Sequence, residues 1–233
     1  MIKKIPLVLL PGYSSNALLW QHQIKHLSNL IEPYVFVFEA ETTIGQMAQR
    51  VLQEVPGNFV VAGHSMGGWI AQRLAIMAPE RVKKMCLLST WTGNNRPEFI
   101  DMFEEIAQAA QSDRIYQVFD DIRASSVSPT LQEDQAILTT LKTMQDAFPT
   151  TGYVNQARAI IDSQSVEQEL NRIQCPTLIV QGEDDMAFTM EEQYAMHHGI
   201  PHSHFTLIPE CGHMLPLERP HTITTLLRLM LMN

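Results

Sequence analysis

The sequence predicts an α/β fold, a mainly parallel central sheet of about six strands flanked by helices and interrupted by one helical insertion. Three observations carry this. Compact apolar runs alternate with helical-period stretches between Ile5 and Ser89, the pattern of βαβ units with strands buried on both faces. Strand-like runs are absent from Thr92 to Asn171. They return at Thr177 and again at His204.

The first strand is Ile5 to Leu10, closed by Pro11-Gly12. Trp20, Ile24, Leu27 and Ile31 then recur at helical spacing, and Tyr34 to Phe38 forms a second β-rich run. Ile44, Met47, Ala48, Val51, Leu52 and Val55 share one helical face that Pro56-Gly57 terminates. Phe59 to Ala62 is the third strand, Ile70, Ala71, Leu74 and Ala75 mark the next helix, and Met85 to Ser89 is the fourth strand. In the insertion, helical stripes run through Phe99, Met102, Phe103, Ile106 and Ala110, through Ile115, Val118, Phe119 and Ile122, and through Leu138, Leu141, Met144 and Phe148. Turn-like breaks fall at 125–129 and 149–152. Thr177 to Val180, a helix near Glu191 to His198, His204 to Ile208 and a last helix from Pro220 to Met232 complete the chain. The expected organisation is a core of residues 1–91 and 172–233 with a helical cap over 92–171. Helices inserted after a strand's C-terminal end start on the face where such sheets bind ligands.

The 233 residues are 45% hydrophobic and 18% charged, which suits one large folded domain and excludes a disordered chain. The net charge of −9, with scattered basic residues, argues against nucleic acid or an anionic membrane as partner. Cys86, Cys175 and Cys211 form an odd set without CxxC spacing, so neither a disulfide framework nor a Cys-rich zinc site is expected. No apolar run approaches the ~20 residues of a membrane span. Lys3-Lys4 before Ile5 to Leu10 is too short a pattern for a signal peptide and contains Pro6. A cytoplasmic location is expected.

The strongest chemical signal is Gly63-His64-Ser65-Met66-Gly67-Gly68, a G-x-S-x-G between a strand and a helix. A serine on so sharp a turn sits in a strained conformation, and side chains two positions either side would collide, so glycine is required there. Ser65 is thereby exposed near the positive end of the following helix. A hydroxyl is a weak nucleophile and needs a base. Of nine histidines, His213 lies just past the last strand, in Cys211-Gly212-His213-Met214. His22 and His26 lack the glutamate of a zinc motif, and His197, His198, His202 and His204 are irregularly spaced for a metal. The acid that orients the base falls within Glu183-Asp184-Asp185, at another strand end. Composition and position leave the choice among the three open.

These segments, with Leu9-Leu10-Pro11-Gly12-Tyr13, Cys175-Pro176-Thr177 and His213 through Pro220, resemble the α/β-hydrolase superfamily over nearly the whole chain. The chain order serine, acid, histidine is that of this superfamily. The resemblance implies an α/β-hydrolase fold and selects Asp185, three residues after the strand-end glycine. It implies an oxyanion hole from the amides of Met66 and Tyr13. It also implies that two antiparallel strands common at the N-terminus are missing, and Glu39 to Thr43 replaces a loop frequent after the second strand.

The expected function is a serine hydrolase with Ser65 as nucleophile, His213 as base and Asp185 as its orienting acid. Hydrolysis of a small, largely apolar carboxylic ester through an acyl-enzyme is the leading reaction, with no metal or organic cofactor. Thioesterase, C–C bond hydrolase and perhydrolase chemistry use the same triad. A non-catalytic ligand-binding or receptor member of the fold is the alternative of another class. Trp91, Met186, Phe188 and Met214 are the candidate pocket residues, and no arginine pair stands out for gripping an anion. The expected partner is a small-molecule substrate, and the expected assembly a monomer or homodimer.

Overall fold

A computed structural model describes residues 4–112 and 114–232. Its centre is a six-stranded parallel sheet of β1 (Ile5–Leu10), β2 (Ile31–Val35), β3 (Phe59–His64), β4 (Val82–Leu88), β5 (Thr177–Gly182) and β6 (Ser203–Ile208). The strand order is β2-β1-β3-β4-β5-β6. The alternation of side chains along β1 explains why its sequence is apolar throughout. Val8 and Leu10 join one buried cluster with Val61, Met85 and Leu87, under the helices α2 (Ile44–Glu54) and α3 (Met66–Met77). Leu7 and Leu9 join the opposite cluster with Ala62, Cys86 and Leu88, under α1 (Gln21–Leu27) and the C-terminal helix Pro220–Met232. Both faces are covered, as a parallel sheet requires.

The second strand departs from the sequence expectation. The helical spacing places Ile31 on the first helix and starts the strand at Tyr34, yet α1 ends at Leu27 and β2 begins at Ile31. Pro33 lies within β2, opposite Leu7. Proline reads as a break in a sequence, but β2 is an edge strand, where a missing N–H is tolerated.

Between β4 and β5 the chain forms α4 (Pro97–Ala110), α5 (Ile115–Ser125), α6 (Gln135–Asp146) and α7 (Thr150–Asp162). The expected break at 149–152 is instead the start of α7. Pro149 stands at its N-cap, and Gly152 is admitted because a Cβ there would lie 2.6 Å from the Phe148 ring. From Thr92 to Asn171 the sequence holds 13 of the 25 acidic residues and 5 of the 16 basic ones, so eight of the nine net negative charges fall in this insertion. Buried Gln156 of α7 fastens it to the segments that follow β1 and β2. Its Oε1 accepts from Ser14 N at 2.8 Å and its Nε2 donates to Phe38 O at 2.6 Å. After β5 come α8 (Met190–Gly199), the short α9 (Leu215–Glu218) and α10 (Pro220–Met232). The chain leaves β1 toward β2 and then crosses back to β3, so the C-terminal ends of β1 and β3 flank a topological switch point.

Candidate active site

At that switch point β3 runs directly into α3 through Ser65, whose backbone has φ 52° and ψ −122°. The flanking glycines are forced by contact. A Cβ on Gly63 would lie 2.2 Å from Gly67 O, and one on Gly67 would lie 2.1 Å from Leu10 O. Both obstacles are backbone, which cannot move aside. Gly67→Ala is therefore expected to cost more than about 3 kcal/mol, read as a lowered urea midpoint of unfolding.

The loop after β1 closes on the same point. A Cβ on Gly12 would stand 3.0 Å from Ser65 Cβ, so the Pro11-Gly12-Tyr13 backbone lies against the elbow. The Tyr13 side chain turns away into the insertion. Its hydroxyl donates to Tyr153 O at 3.0 Å, and its ring meets Phe103 edge-on at 5.0 Å. Met66 N–H belongs to the first turn of α3, where amides have no intrahelical acceptor.

His213 follows β6 and Asp185 follows β5. His213 Nδ1 is 3.1 Å from Asp185 Oδ2, whose side chain is fully buried. Burial pushes the Asp185 carboxyl up, but the His213 imidazole and the Ala187 N–H at 2.8 Å outweigh it and hold it below the ordinary carboxylate value. The other two acids go elsewhere. Asp184 Oδ2 accepts from Ser128 Oγ at 2.6 Å, and Glu183 is exposed. Ser65 makes no side-chain hydrogen bond among the described residues, and with His213 it lines one cavity of about 490 Å³. Phe99, Phe103, Phe119, Leu141 and Met144 supply apolar walls from the insertion.

Three of the four expected pocket residues line this cavity: Met186, Phe188 and Met214. Trp91 does not. It is buried behind Phe188, stacked on that ring at 4.8 Å, with Nε1 donating to Asn95 Oδ1 at 2.9 Å. Arg96 and Arg123 were not singled out by sequence, yet both line the cavity. Arg123 is held by Asp120 Oδ1 at 2.7 Å and by Gln145 Oε1, and Arg96 lies 3.9 Å from Glu192.

A family profile described as alpha/beta hydrolase fold matches residues 38–220. The chain belongs to the α/β-hydrolase family. It is 24% identical to a pimeloyl-[acyl-carrier protein] methyl ester esterase of Nitrosomonas europaea, an alignment covering 92% of this chain and 90% of that one. Among solved structures it is similar to the enol-lactonase of Burkholderia xenovorans (TM-score 0.90, 19% identity, 99% and 92% covered). It is also similar to a thermophilic esterase of Thermogutta terrifontis (TM-score 0.87, 22% identity, 97% and 89% covered).

In this α/β-hydrolase a second histidine stands against the first. His64 Nε2 donates to His213 O at 2.8 Å, and the two rings are 4.8 Å apart. Burial, then the neighbouring His213, pushes the His64 pKa down to about 3. His64 is thus neutral when folded and protonates near 6.5 when unfolded. Its contribution to stability is complete above pH 6.5 and is lost as pH falls toward 3. Asp185, held low, adds stability that is complete above its unfolded value and is lost as pH falls through its folded value. The urea midpoint is expected to fall between pH 7 and pH 5, with His64 contributing about 2 kcal/mol of that loss.

The hydrolase's three cysteines are free and buried. Burial pushes the thiols of Cys86, to about 12, and of Cys175 up, and at Cys211 burial and then Glu218 act the same way. Thiolate is the reactive form, so iodoacetamide is expected to leave activity intact even though Cys211 is two residues from His213. Among the described residues no group of three or more His, Cys, Asp or Glu is arranged to hold a metal, and no helix is long and apolar enough to cross a membrane. Sequence reasoning also passed over Glu218, five residues after His213.

Proposed function

We propose that the chain is a serine ester hydrolase working through an acyl-enzyme. The single observation that carries this reading is the convergence of a positive-φ serine and a histidine–carboxylate pair on one largely apolar cavity. Ser65 Oγ attacks the ester carbonyl while His213 Nε2 takes its proton, and Asp185 holds the imidazole with hydrogen on Nδ1. The Met66 and Tyr13 amides receive the oxyanion. His213 returns the proton to the leaving alcohol; water then attacks the acyl-enzyme with His213 again as base, the acyl–Oγ bond breaks to release the acid, and His213 gives its proton back to Ser65 Oγ. Every step uses side chains and amides of this chain, so the reaction calls for no metal or organic cofactor. Residues 92–171 act as a cap that walls the acyl site.

The cavity favours a small ester. Its walls are largely apolar, and both lining arginines already have acidic partners. The relative named as a methyl ester esterase supports ester hydrolysis ahead of thioester or C–C cleavage. The test is turnover of p-nitrophenyl esters from acetate to octanoate beside matched thioesters and 1,3-diketones. Ester hydrolysis with the highest kcat/KM supports the reading. Tight binding without turnover points to a ligand-binding protein, and faster diketone or thioester cleavage reassigns the reaction.

A further inference from the structure

Glu218 lies outside the triad, yet its buried carboxylate receives three backbone N–H groups from two separate segments. Oε2 accepts from Gly212 N at 2.8 Å and from Ser128 N at 2.8 Å, and Oε1 accepts from Met214 N at 2.9 Å. Two of these donors flank His213. The third belongs to the turn between α5 and α6, part of the insertion. Hydrogen bonds to an ionised acceptor are roughly twice as strong as neutral ones, and burial raises the cost of losing any of them.

The same two segments meet again where His213 N donates to Ser126 O at 3.0 Å, and the turn also reaches the loop after β5, where Ser128 Oγ donates to Asp184 beside Asp185. Gly212 and the turn are in backbone contact, since a Cβ on Gly212 would lie 2.5 Å from Ser128 N. With His64 donating to His213 O, both backbone polar groups of His213 and the amides on either side of it are fixed. Glu218 supplies two of those four restraints, and its carboxylate bonds to both segments.

We infer that Glu218 is a positioning residue that locks the His213 loop to the insertion's 126–128 turn, so that the cap's inner turn is part of the framework aiming the imidazole. This rests on the hydrolase reading above. An angular error at His213 weakens proton transfer in the transition state while leaving the apolar acyl site intact, so the effect falls on kcat and not on KM. Motion of the insertion that opens the cavity must leave this turn in place.

Glu218→Gln replaces one carboxylate oxygen by an NH2 group facing N–H donors. With the folded fraction measured by near-UV circular dichroism, the variant is expected to lose about tenfold to a hundredfold in kcat per folded molecule, with KM within about threefold of wild type. Glu218→Asp, one methylene shorter, is expected to lose kcat in the same way. A purely structural role would lower the melting temperature and leave kcat per folded molecule unchanged, which would overturn the inference. Hydrogen exchange on the unsubstituted protein gives an independent readout if both variants misfold. The Gly212, Met214 and Ser128 amides are expected to exchange together and slowly, and fast exchange of any one of them also overturns it. Absence of ester turnover in the wild-type protein is instead a failure of the hydrolase reading, which the exchange experiment does not depend on.

Discussion

Ser65→Ala is expected to lower kcat for p-nitrophenyl butyrate about a million-fold, the loss seen when a triad nucleophile is removed. The prediction is specific because the substitution is nearly silent for the fold. Alanine keeps the Cβ, so the strain at φ 52° is the same with or without the hydroxyl. No side-chain hydrogen bond among the described residues is lost. Circular dichroism and the melting temperature should match the wild type, and only chemistry should disappear. An alanine variant that retains turnover would mean that Ser65 does not attack the ester, and the acyl-enzyme route would fall with it.

The second large effect is at Asp185. Asp185→Asn is expected to cost about four orders of magnitude in kcat, through a specific inversion of hydrogen-bond polarity. Asp185 Oδ1 accepts from Ala187 N at 2.8 Å, and that amide still needs an acceptor in the variant. The new side chain therefore keeps its oxygen toward Ala187 and turns its NH2 toward His213 Nδ1. The imidazole must then carry its hydrogen on Nε2, the atom that should take the proton from Ser65. Asp184→Asn serves as the comparison. Its partner is the Ser128 hydroxyl, which can donate to an amide oxygen as well as to a carboxylate. A loss of less than about tenfold is expected there. If Asp184→Asn proves the more damaging, the acid has been misassigned.

What could be read from the sequence follows from how local each cause is. The Ser65 turn is legible because its G-x-S-x-G spacing is short in sequence, although only Gly63 answers to a neighbour a few residues away, and Gly67 answers to Leu10 on β1. His213 and the acidic run are legible because parallel strands deliver their C-terminal ends to one face. The first strand is legible because both of its faces are buried. The start of β2 is not, since Pro33 means a break in most contexts and is harmless only at the sheet's edge. Trp91 follows a strand end and so suggested a pocket position, but Phe188 lies over it. Glu218 was hidden for another reason. Its partners are main-chain amides more than eighty residues apart, and such donors leave no mark in the side-chain sequence.

The uneven distribution of charge distinguishes what enters the cavity from what leaves it. In the proposed reaction an ester arrives neutral and a carboxylate is released beside a helical layer that holds eight of the chain's nine net negative charges. The two arginines on the cavity wall are already matched by Asp120 and Glu192 and offer the product little excess positive charge. The surrounding field thus acts on one side of the reaction only. On the proposed ester hydrolysis, such a field would leave a neutral substrate unaffected and would disfavour retention of the acid product.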